Sequence, residues 1–371
     1  MAEYSNSNFK KKRIFYFDLL RALAIIAVII FHLYTTCNSL VLKEYSILSF
    51  KWLFTDFIAA DFRFGVDLFL MMSGALVLGR STDLKSFLVK RIPRISIPFV
   101  FWVIVLSIFS ICIAISFPQL WPVIDVAHFG ALDLLTYIYN SFIAINRGFT
   151  HLWFFWMILG IYLIMPLINK WILYNKNSKS YLEEMEYFLI IWIVACILDN
   201  TLHYPLHINL TYFTGPIGMV ILGYYLRYTD REVLNNPYYA IVALIGVAIV
   251  AMYASFMLSG PNKMTFFDNY SIFNVIEVTA IFCLFKNFDK LNTGLFRNPN
   301  GKIYRSIVSI AKYSYGIYLV HRIFLALFFA MLVNKIPYIP LLVVLFILTL
   351  GVSWALIVAL DKIPFLRNVI N

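Results

Sequence analysis

Residues 16–36 read YFDLLRALAIIAVIIFHLYTT, an apolar run that contains one arginine, Arg21, and one histidine, His32. A charged side chain inside hydrocarbon is costly, about 2.5 to 3.5 kcal/mol for a central arginine on insertion scales. A separation of about eleven residues completes roughly three helical turns, so both side chains lie on one helical face, about 16 Å apart along the axis. This distance is about half the thickness of a bilayer core. The stretch therefore predicts a membrane-spanning helix that carries chemistry on one face.

The composition of the whole chain is that of a polytopic membrane protein. Of its 371 residues, 62% are hydrophobic, 18% aromatic and 13% charged, and the mean hydropathy is +0.81. A soluble globular protein does not bury so large an apolar fraction. A net charge of +11 would suggest a nucleic-acid partner in a soluble chain. In a membrane protein, such a net charge is explained by the lysines and arginines of the cytoplasmic loops, which set the orientation of the chain. We therefore expect a lipid bilayer as a partner and no nucleic acid.

Ten apolar runs have the length that a bilayer requires. We predict spans at about 15–36, 56–79, 92–117, 151–169, 187–203, 211–227, 238–259, 271–286, 312–333 and 338–360. The loops alternate in charge, with 22 of the 30 lysines and arginines in one alternate set and 6 in the other. The positive-inside rule then places both termini in the cytoplasm. The short apolar segment 132–146 is interpreted as an interfacial or re-entrant piece.

The predicted fold class is therefore all-α: a polytopic transmembrane helix bundle of about ten spans. Its N- and C-termini are expected to be cytoplasmic. Residues 1–371 are expected to form a single integral-membrane domain, because no interhelical stretch is long enough to bury a core of its own. We expect the protein in the cell membrane.

Charged residues near the first span suggest a binding site for anions. Asp18 lies three residues before Arg21, at ion-pair spacing on a helix, where it would neutralise or orient the guanidinium. Arg91 and Arg94 are three residues apart and flank Pro93, which suits a first helical turn. Exposed N–H groups at a helix start favour anions. A phosphate site is therefore predicted, with ordinary positive-inside charge as the alternative interpretation.

His32 is interpreted either as a hydrogen-bonded packing histidine or as a general base, since imidazole titrates near neutral pH. A neighbouring carboxylate at Asp67 or Glu277 would raise its basicity. Arg322 is the second arginine inside a predicted span. Pairing it with Asp67 or Glu277 would lower the cost of burying both charges.

Further polar residues fall inside predicted spans or near their outer ends. His151 opens the fourth span and is a candidate for lining an acceptor site, and His321 directly precedes Arg322. The residues predicted as possible lining of the site are Asp18, Asp67, His151, Glu277, His321 and Arg322. A polar cluster of Asp199, Asn200, His203 and His207 lacks metal-ligand spacing, so no metal is expected.

Five blocks in order make the sequence similar to a known family. The first is the R-x10-H pattern from Arg21 to His32 inside FYFDLLRALAIIAVIIFHLY. It is followed by FGVDLFLMMSGALVLGR, FLVKRIPRISIPFVFW with its R-x-x-R, HLWFFWMILGIYLIMPLI and AKYSYGIYLVH. The chain resembles the acyltransferase 3 family of integral-membrane acyltransferases, most closely its surface-polysaccharide O-acyltransferase branch. The pattern R-x10-H alone is a weak signal, whereas five blocks in order along nearly the whole chain are specific.

The resemblance implies about ten spans and an enzyme, a membrane O-acyltransferase and most simply an O-acetyltransferase. It implies a cytoplasmic acyl-CoA donor, most simply acetyl-CoA, with no bound cofactor. The implied acceptor is a hydroxyl of a surface polysaccharide, a lipid-linked glycan or a cell-wall sugar. By resemblance, Arg21 and His32 are catalytic, and Arg91 and Arg94 bind the donor. His32 acts either as the base or as the carrier of the acyl group.

A glycan exporter or secondary transporter is the alternative function, because it would also need Asp67, Glu277 and Arg322 within the membrane. The sequence shows no internal repeat and no obvious pair of broken helices, and both are common in transporters. A structural scaffold explains the intramembrane charges least well. The sequence leaves open the acceptor, the acyl group and the oligomeric state.

Overall fold

The computed structural model describes residues 13–44, 62–116, 131–176, 180–201, 209–211, 213–257, 269–291 and 298–370. Over these ranges the chain is helical and contains no β-strand. The helices are α1 (Phe15–Glu44), α2 (Phe64–Val77), α3 (Leu84–Ser116), α4 (Ala131–Phe142), α5 (Trp153–Asn175), α6 (Tyr181–Cys196), α7 (Pro216–Tyr228), α8 (Pro237–Met257), α9 (Ile272–Lys286), α10 (Lys302–Leu332), α11 (Tyr338–Leu360) and α12 (Arg367–Ile370). A 3₁₀ turn, Arg147–Leu152, leads into α5.

Six helices of the described chain are long and apolar enough to contain a membrane span: α1, α3, α5, α8, α10 and α11. Four further predicted spans correspond to the shorter helices α2, α6, α7 and α9, of 14, 16, 13 and 15 residues. An all-α fold with six candidate membrane-spanning helices in the described chain is therefore confirmed. The number of ten spans and the cytoplasmic position of the termini stay predictions. The segment predicted as interfacial or re-entrant, 132–146, contains all of α4 except its first residue.

Helix α3 begins at Leu84, well before the predicted start near Pro93. Pro93 therefore lies inside the helix, where it withholds one N–H from the hydrogen-bond ladder. Arg91 and Arg94 lie about two turns or more from the helix start. The prediction that helix N-terminal N–H groups assist these two arginines is therefore wrong. Any binding of anions by Arg91 and Arg94 therefore depends on their side chains alone.

The centre of the bundle depends on close contact between α2 and α7. A Cβ atom at Gly74 would lie 1.8 Å from the carbonyl oxygen of Val220, and one at Gly223 would lie 2.0 Å from that of Met71. No side chain fits at such separations, so the two glycines let the helix backbones touch, as small residues do in membrane helix pairs. Helix α1 packs against both α2 and α10, which fixes the relative position of the residues of the site.

Candidate active site

Three histidines from separate elements meet at one point of the bundle. The ring centroid of His321 lies 5.3 Å from that of His32 and 5.1 Å from that of His151, and the centroids of His32 and His151 are 6.0 Å apart. Helix α1 supplies His32, α10 supplies His321, and the turn before α5 supplies His151. We call these three residues the histidine cluster. Only His32 is partly exposed, whereas His151 and His321 are buried.

The protonation of His321 follows from its neighbour. Its Nδ1 lies 2.7 Å from the carbonyl oxygen of Tyr318. A carbonyl oxygen only accepts, so Nδ1 of the neutral ring carries the proton and Nε2 holds the lone pair. Among the described residues, Nε2 of His321 and both ring nitrogens of His151 form no hydrogen bond. Buried polar atoms are normally bonded, so these three nitrogens need an explanation, and a ligand-binding or reactive site is one that fits.

Arg322 lies beside His32. Its Nη1 is 3.5 Å from Nδ1 of His32 and 3.5 Å from the hydroxyl oxygen of Thr36. A guanidinium group has only donors, so Nδ1 of His32 is the acceptor and the proton of the neutral ring is on Nε2. The expected ion pair of Arg322 with Asp67 or Glu277 is not found among the ion pairs between described residues. The guanidinium is instead next to the candidate base.

A cavity of about 1090 Å³ extends from the N-terminal part of α1 into the bundle. Ligand sites in proteins commonly measure about 300 to 1,000 Å³, so this space suits a large ligand. Its lining includes six basic side chains: Arg13, Arg21, Arg91, Arg94, Lys312 and Arg367. We call it the basic cavity. The structure thus brings together Arg21 from α1 with Arg91 and Arg94 from α3.

The arginines predicted for anion binding have no hydrogen-bond or ion-pair partner among the described residues. The side chains of Arg21, Arg91 and Arg94 form no hydrogen bond or ion pair within the part of the chain that the structure describes. Asp18, expected to pair with Arg21, instead accepts hydrogen bonds of 2.5 and 3.0 Å from Arg13. Three guanidinium groups therefore face one cavity with their donors unused, an arrangement suited to phosphate groups.

The far end of the basic cavity is apolar and ends at Tyr318. Phe154 and Ile158 of α5 line it together with this tyrosine of α10. The Tyr318 ring centroid is 5.4 Å from that of His151 and 6.1 Å from that of His321. Its hydroxyl donates a 2.5 Å hydrogen bond to the carbonyl oxygen of His151. The buried ring of Tyr318 therefore lies between the basic cavity and the histidine cluster.

Helices α1 and α10 leave the basic cavity in the same direction. Along α1 the chain passes from Arg21 in the cavity lining to His32 in the cluster, about 16 Å at helical rise. Along α10 it passes from Lys312 to His321, about 14 Å. The two packed helices therefore connect an end rich in basic side chains with an end that carries the histidine cluster.

Residues 14–358, nearly the whole chain, match the model of a protein family whose description is "acyltransferase domain". The chain belongs to the acyltransferase 3 family. It is therefore an acyltransferase enzyme, as the resemblance predicted, and the six apolar helices long enough to cross a bilayer indicate a membrane protein. No curated protein and no solved structure matches the chain significantly. Membership of this family argues against the alternative of an exporter or transporter.

Two buried carboxylates of this acyltransferase 3 enzyme lie on helices beside the site. Asp67 on α2 and Glu277 on α9 are 0% and 3% exposed. Among the hydrogen bonds and ion pairs between described residues, none joins Asp67 or Glu277 to His32, whose side-chain neighbour there is Arg322. The interpretation that Asp67 raises the basicity of His32 therefore receives no support from the geometry.

The polar cluster considered for metal binding is only partly described. His203 and His207 lie outside the described residues. Asp199 accepts hydrogen bonds from the Leu210 N–H at 3.0 Å and the Thr214 hydroxyl at 2.8 Å. Over the described ranges of the acyltransferase, no group of three or more His, Cys, Asp or Glu is arranged to hold a metal ion.

Sequence reasoning missed several residues that shape this site. Tyr318 lies one helical turn before His321 on α10, so its presence on the same face was a usable signal. Thr36 lies one turn after His32 for the same reason. Asp361 and Arg367 gave no comparable signal, because they follow the last predicted span and nothing local connects them to a cavity.

Proposed function

We propose that this acyltransferase is a membrane O-acyltransferase of the cell membrane. It moves an acyl group, most simply acetyl, from cytoplasmic acyl-CoA to a hydroxyl of a surface polysaccharide, a lipid-linked glycan or a cell-wall sugar. The observation that carries the proposal is the basic cavity, with unpaired guanidinium groups at one end and Tyr318 beside the histidine cluster at the other.

The two ends of the cavity fit the two ends of an acyl-CoA. The nucleotide end of CoA is polyanionic, and Arg21, Arg91 and Arg94 offer donors for charge-assisted hydrogen bonds to its phosphates. The pantetheine arm is slender, and the apolar lining at Phe154 and Ile158 suits it. An acyl-CoA held in this way presents its thioester toward Tyr318 and the histidines.

Acyl transfer requires a base and a group that stabilises negative charge. The acceptor hydroxyl attacks the thioester carbonyl carbon, and His32 takes the hydroxyl proton. The carbon–sulfur bond then breaks, an ester is formed, and the imidazolium returns the proton to the leaving thiolate of CoA. Arg322 beside His32 is placed to stabilise the oxyanion that forms in between.

A covalent route uses the same residues. A ring nitrogen of His32 attacks the thioester carbonyl carbon, the carbon–sulfur bond breaks, and CoA leaves as a thiolate that takes up the proton given off by the acylated ring. The acceptor hydroxyl then attacks the acyl-imidazole, the carbon–nitrogen bond breaks, and the hydroxyl proton returns to the ring as the ester forms. Both routes need the lone pair of His32, which faces Arg322 in the described geometry. Displacement of Arg322 by the substrate, or transfer of the ring proton between the two nitrogens, exposes this lone pair for reaction.

The proposal is tested with the purified protein in lipid nanodiscs and acetyl-CoA labelled on the acetyl group. We expect saturable binding and transfer of the label to cell-envelope glycans extracted from a strain that lacks the gene. Mass spectra of surface glycans with and without the gene identify the acceptor. Absence of acetyl-CoA binding, or label that stays on CoA with every glycan fraction, would overturn the proposal.

A further inference from the structure

The segment that follows α11, residues 361–370, lies against the basic cavity. Asp361 and Arg367 belong to the cavity lining. The match to the family ends at residue 358, so this segment lies beyond the region that the family shares. Any contribution it makes to binding is therefore a property of this chain that the family assignment does not carry.

The segment is anchored to the bundle at Ile370. This side chain is fully buried in the core, although the neighbouring segment is largely exposed. A Cβ atom at Gly316 of α10 would lie 2.8 Å from the Ile370 carbonyl oxygen, so the absence of a side chain there admits the segment. Helix α12 also packs against α3, the helix that carries Arg91 and Arg94.

Asp361 organises the basic side chains at this place. One of its oxygens accepts a hydrogen bond of 2.7 Å from the Lys312 ammonium and one of 2.6 Å from the Tyr313 hydroxyl. These hydrogen bonds, that of Lys312 first, hold the pKa of the Asp361 carboxyl below its ordinary value. Its other oxygen lies 3.8 Å from Nε of Arg367. The Lys312 charge is thus compensated, whereas the Arg367 contact is too long for a hydrogen bond.

Arg367 forms no hydrogen bond with another described residue, so its donors are available at the basic cavity. Its side chain is 64% exposed. An exposed ion pair at 3.8 Å contributes little to stability, so a role of Arg367 in stabilising the fold is not supported. A role in ligand binding fits its position in the lining, because a phosphate group that enters the cavity offers the acceptors that Asp361 does not supply.

We infer that Arg367 is a donor-binding residue that contacts the nucleotide phosphates of acyl-CoA, and that Asp361 and Ile370 are positioning residues that hold it at the cavity. The inference rests on the proposed function. It adds a phosphate contact from residues 361–370 to the contacts expected from Arg91 and Arg94.

The test compares Arg367→Gln with Lys362→Gln, which removes an exposed charge from the same segment without touching the cavity lining. Each variant is titrated with acetyl-CoA and with S-acetylpantetheine, which lacks the nucleotide phosphates. Because the Arg367 side chain is largely exposed and screened, we expect its loss to raise the Kd for acetyl-CoA by about three- to tenfold. Its Kd for S-acetylpantetheine should stay unchanged, as should both constants of Lys362→Gln. Arg367→Lys, which restores a cation, should recover part of the affinity for acetyl-CoA.

The outcomes separate this inference from the proposed function. If the unaltered protein binds acetyl-CoA and Arg367→Gln binds it equally well, the inference is overturned and the proposed function stands. Equal weakening of both ligands in Arg367→Gln also overturns it, since the effect is then not one of phosphate contact. If the unaltered protein binds no acetyl-CoA, the proposed function fails and the inference with it.

Discussion

Removal of one guanidinium group from the basic cavity should weaken donor binding strongly. The side chains of Arg91 and Arg94 have no partner among the described residues, so Arg91→Gln and Arg94→Gln break no internal ion pair. Any change in Kd therefore reports the lost contact with the ligand. A hydrogen bond to a charged group contributes about 1.5 to 3 kcal/mol, which corresponds to roughly a 10- to 150-fold increase in Kd. Arg94 is exposed and Arg91 partly buried, so we expect Arg94→Gln nearer the lower limit.

The assay is equilibrium binding of labelled acetyl-CoA to the protein in nanodiscs at low and at physiological salt. Arg305→Gln is the matched control, because Arg305 is an exposed arginine of α10 that does not line the cavity. The affinity of the unaltered protein for acetyl-CoA should fall with rising salt more steeply than that of either cavity variant. Each variant has lost one charge contact with the ligand, so salt has fewer contacts to screen. Unchanged affinity in both variants, or an equal loss in Arg305→Gln, would refute the assignment of the cavity to the donor.

Three further substitutions probe the rest of the site and the bundle. Tyr318→Phe removes the hydroxyl that bonds the His151 carbonyl but keeps the ring, so kcat should fall severalfold with the Kd for acetyl-CoA unchanged; a change in Kd alone would contradict the placement of this residue between cavity and cluster. Arg322→Gln should lower kcat by about 10²- to 10³-fold, as loss of an oxyanion donor does, and steady-state kinetics showing near-normal kcat would exclude that role. Gly74→Ala should destabilise the protein by about 1 to 3 kcal/mol through overpacking, which lowers Tm in a thermal-shift assay. Gly160→Ala is the control and should leave Tm unchanged, because a Cβ atom there meets open space. Equal Tm values for the two variants would argue against the close contact between α2 and α7.

The local features of the site were readable from the sequence because helical spacing is local. An apolar run with Arg21 and His32 on one face predicts a helix with polar chemistry at two levels, and the structure places Arg21 in the lining of the basic cavity and His32 in the histidine cluster. The R-x-x-R block likewise placed Arg91 and Arg94 on one side of α3. These inferences need only the period of the α-helix and the cost of a charge in hydrocarbon.

The partner of Asp18 was predicted incorrectly for a physical reason. Arg21 is at ion-pair spacing on the same helix, and Arg13 is not. Arg13, however, precedes the start of α1 at Phe15, where the backbone is not committed to helical geometry. Its side chain reaches Asp18 from there with two hydrogen bonds. Helical spacing alone cannot rank a partner that lies outside the helix.

The start of α3 was missed because tertiary packing overrides a proline signal. Pro93 suits a first turn, but the preceding turns are held by Phe87, which is buried against Tyr162 of α5. The convergence of the three histidines was not predictable either. It depends on which helices become neighbours, and one sequence does not contain that information.

The most direct test of the central claim is acetyl transfer by His32→Ala. His32 lies in the histidine cluster and does not line the basic cavity. The variant should therefore insert into the membrane and bind acetyl-CoA with a Kd within about twofold of the unaltered protein, while transfer of labelled acetyl to the glycan acceptor falls to background. Transfer at the normal rate by a variant that binds the donor normally would contradict the account.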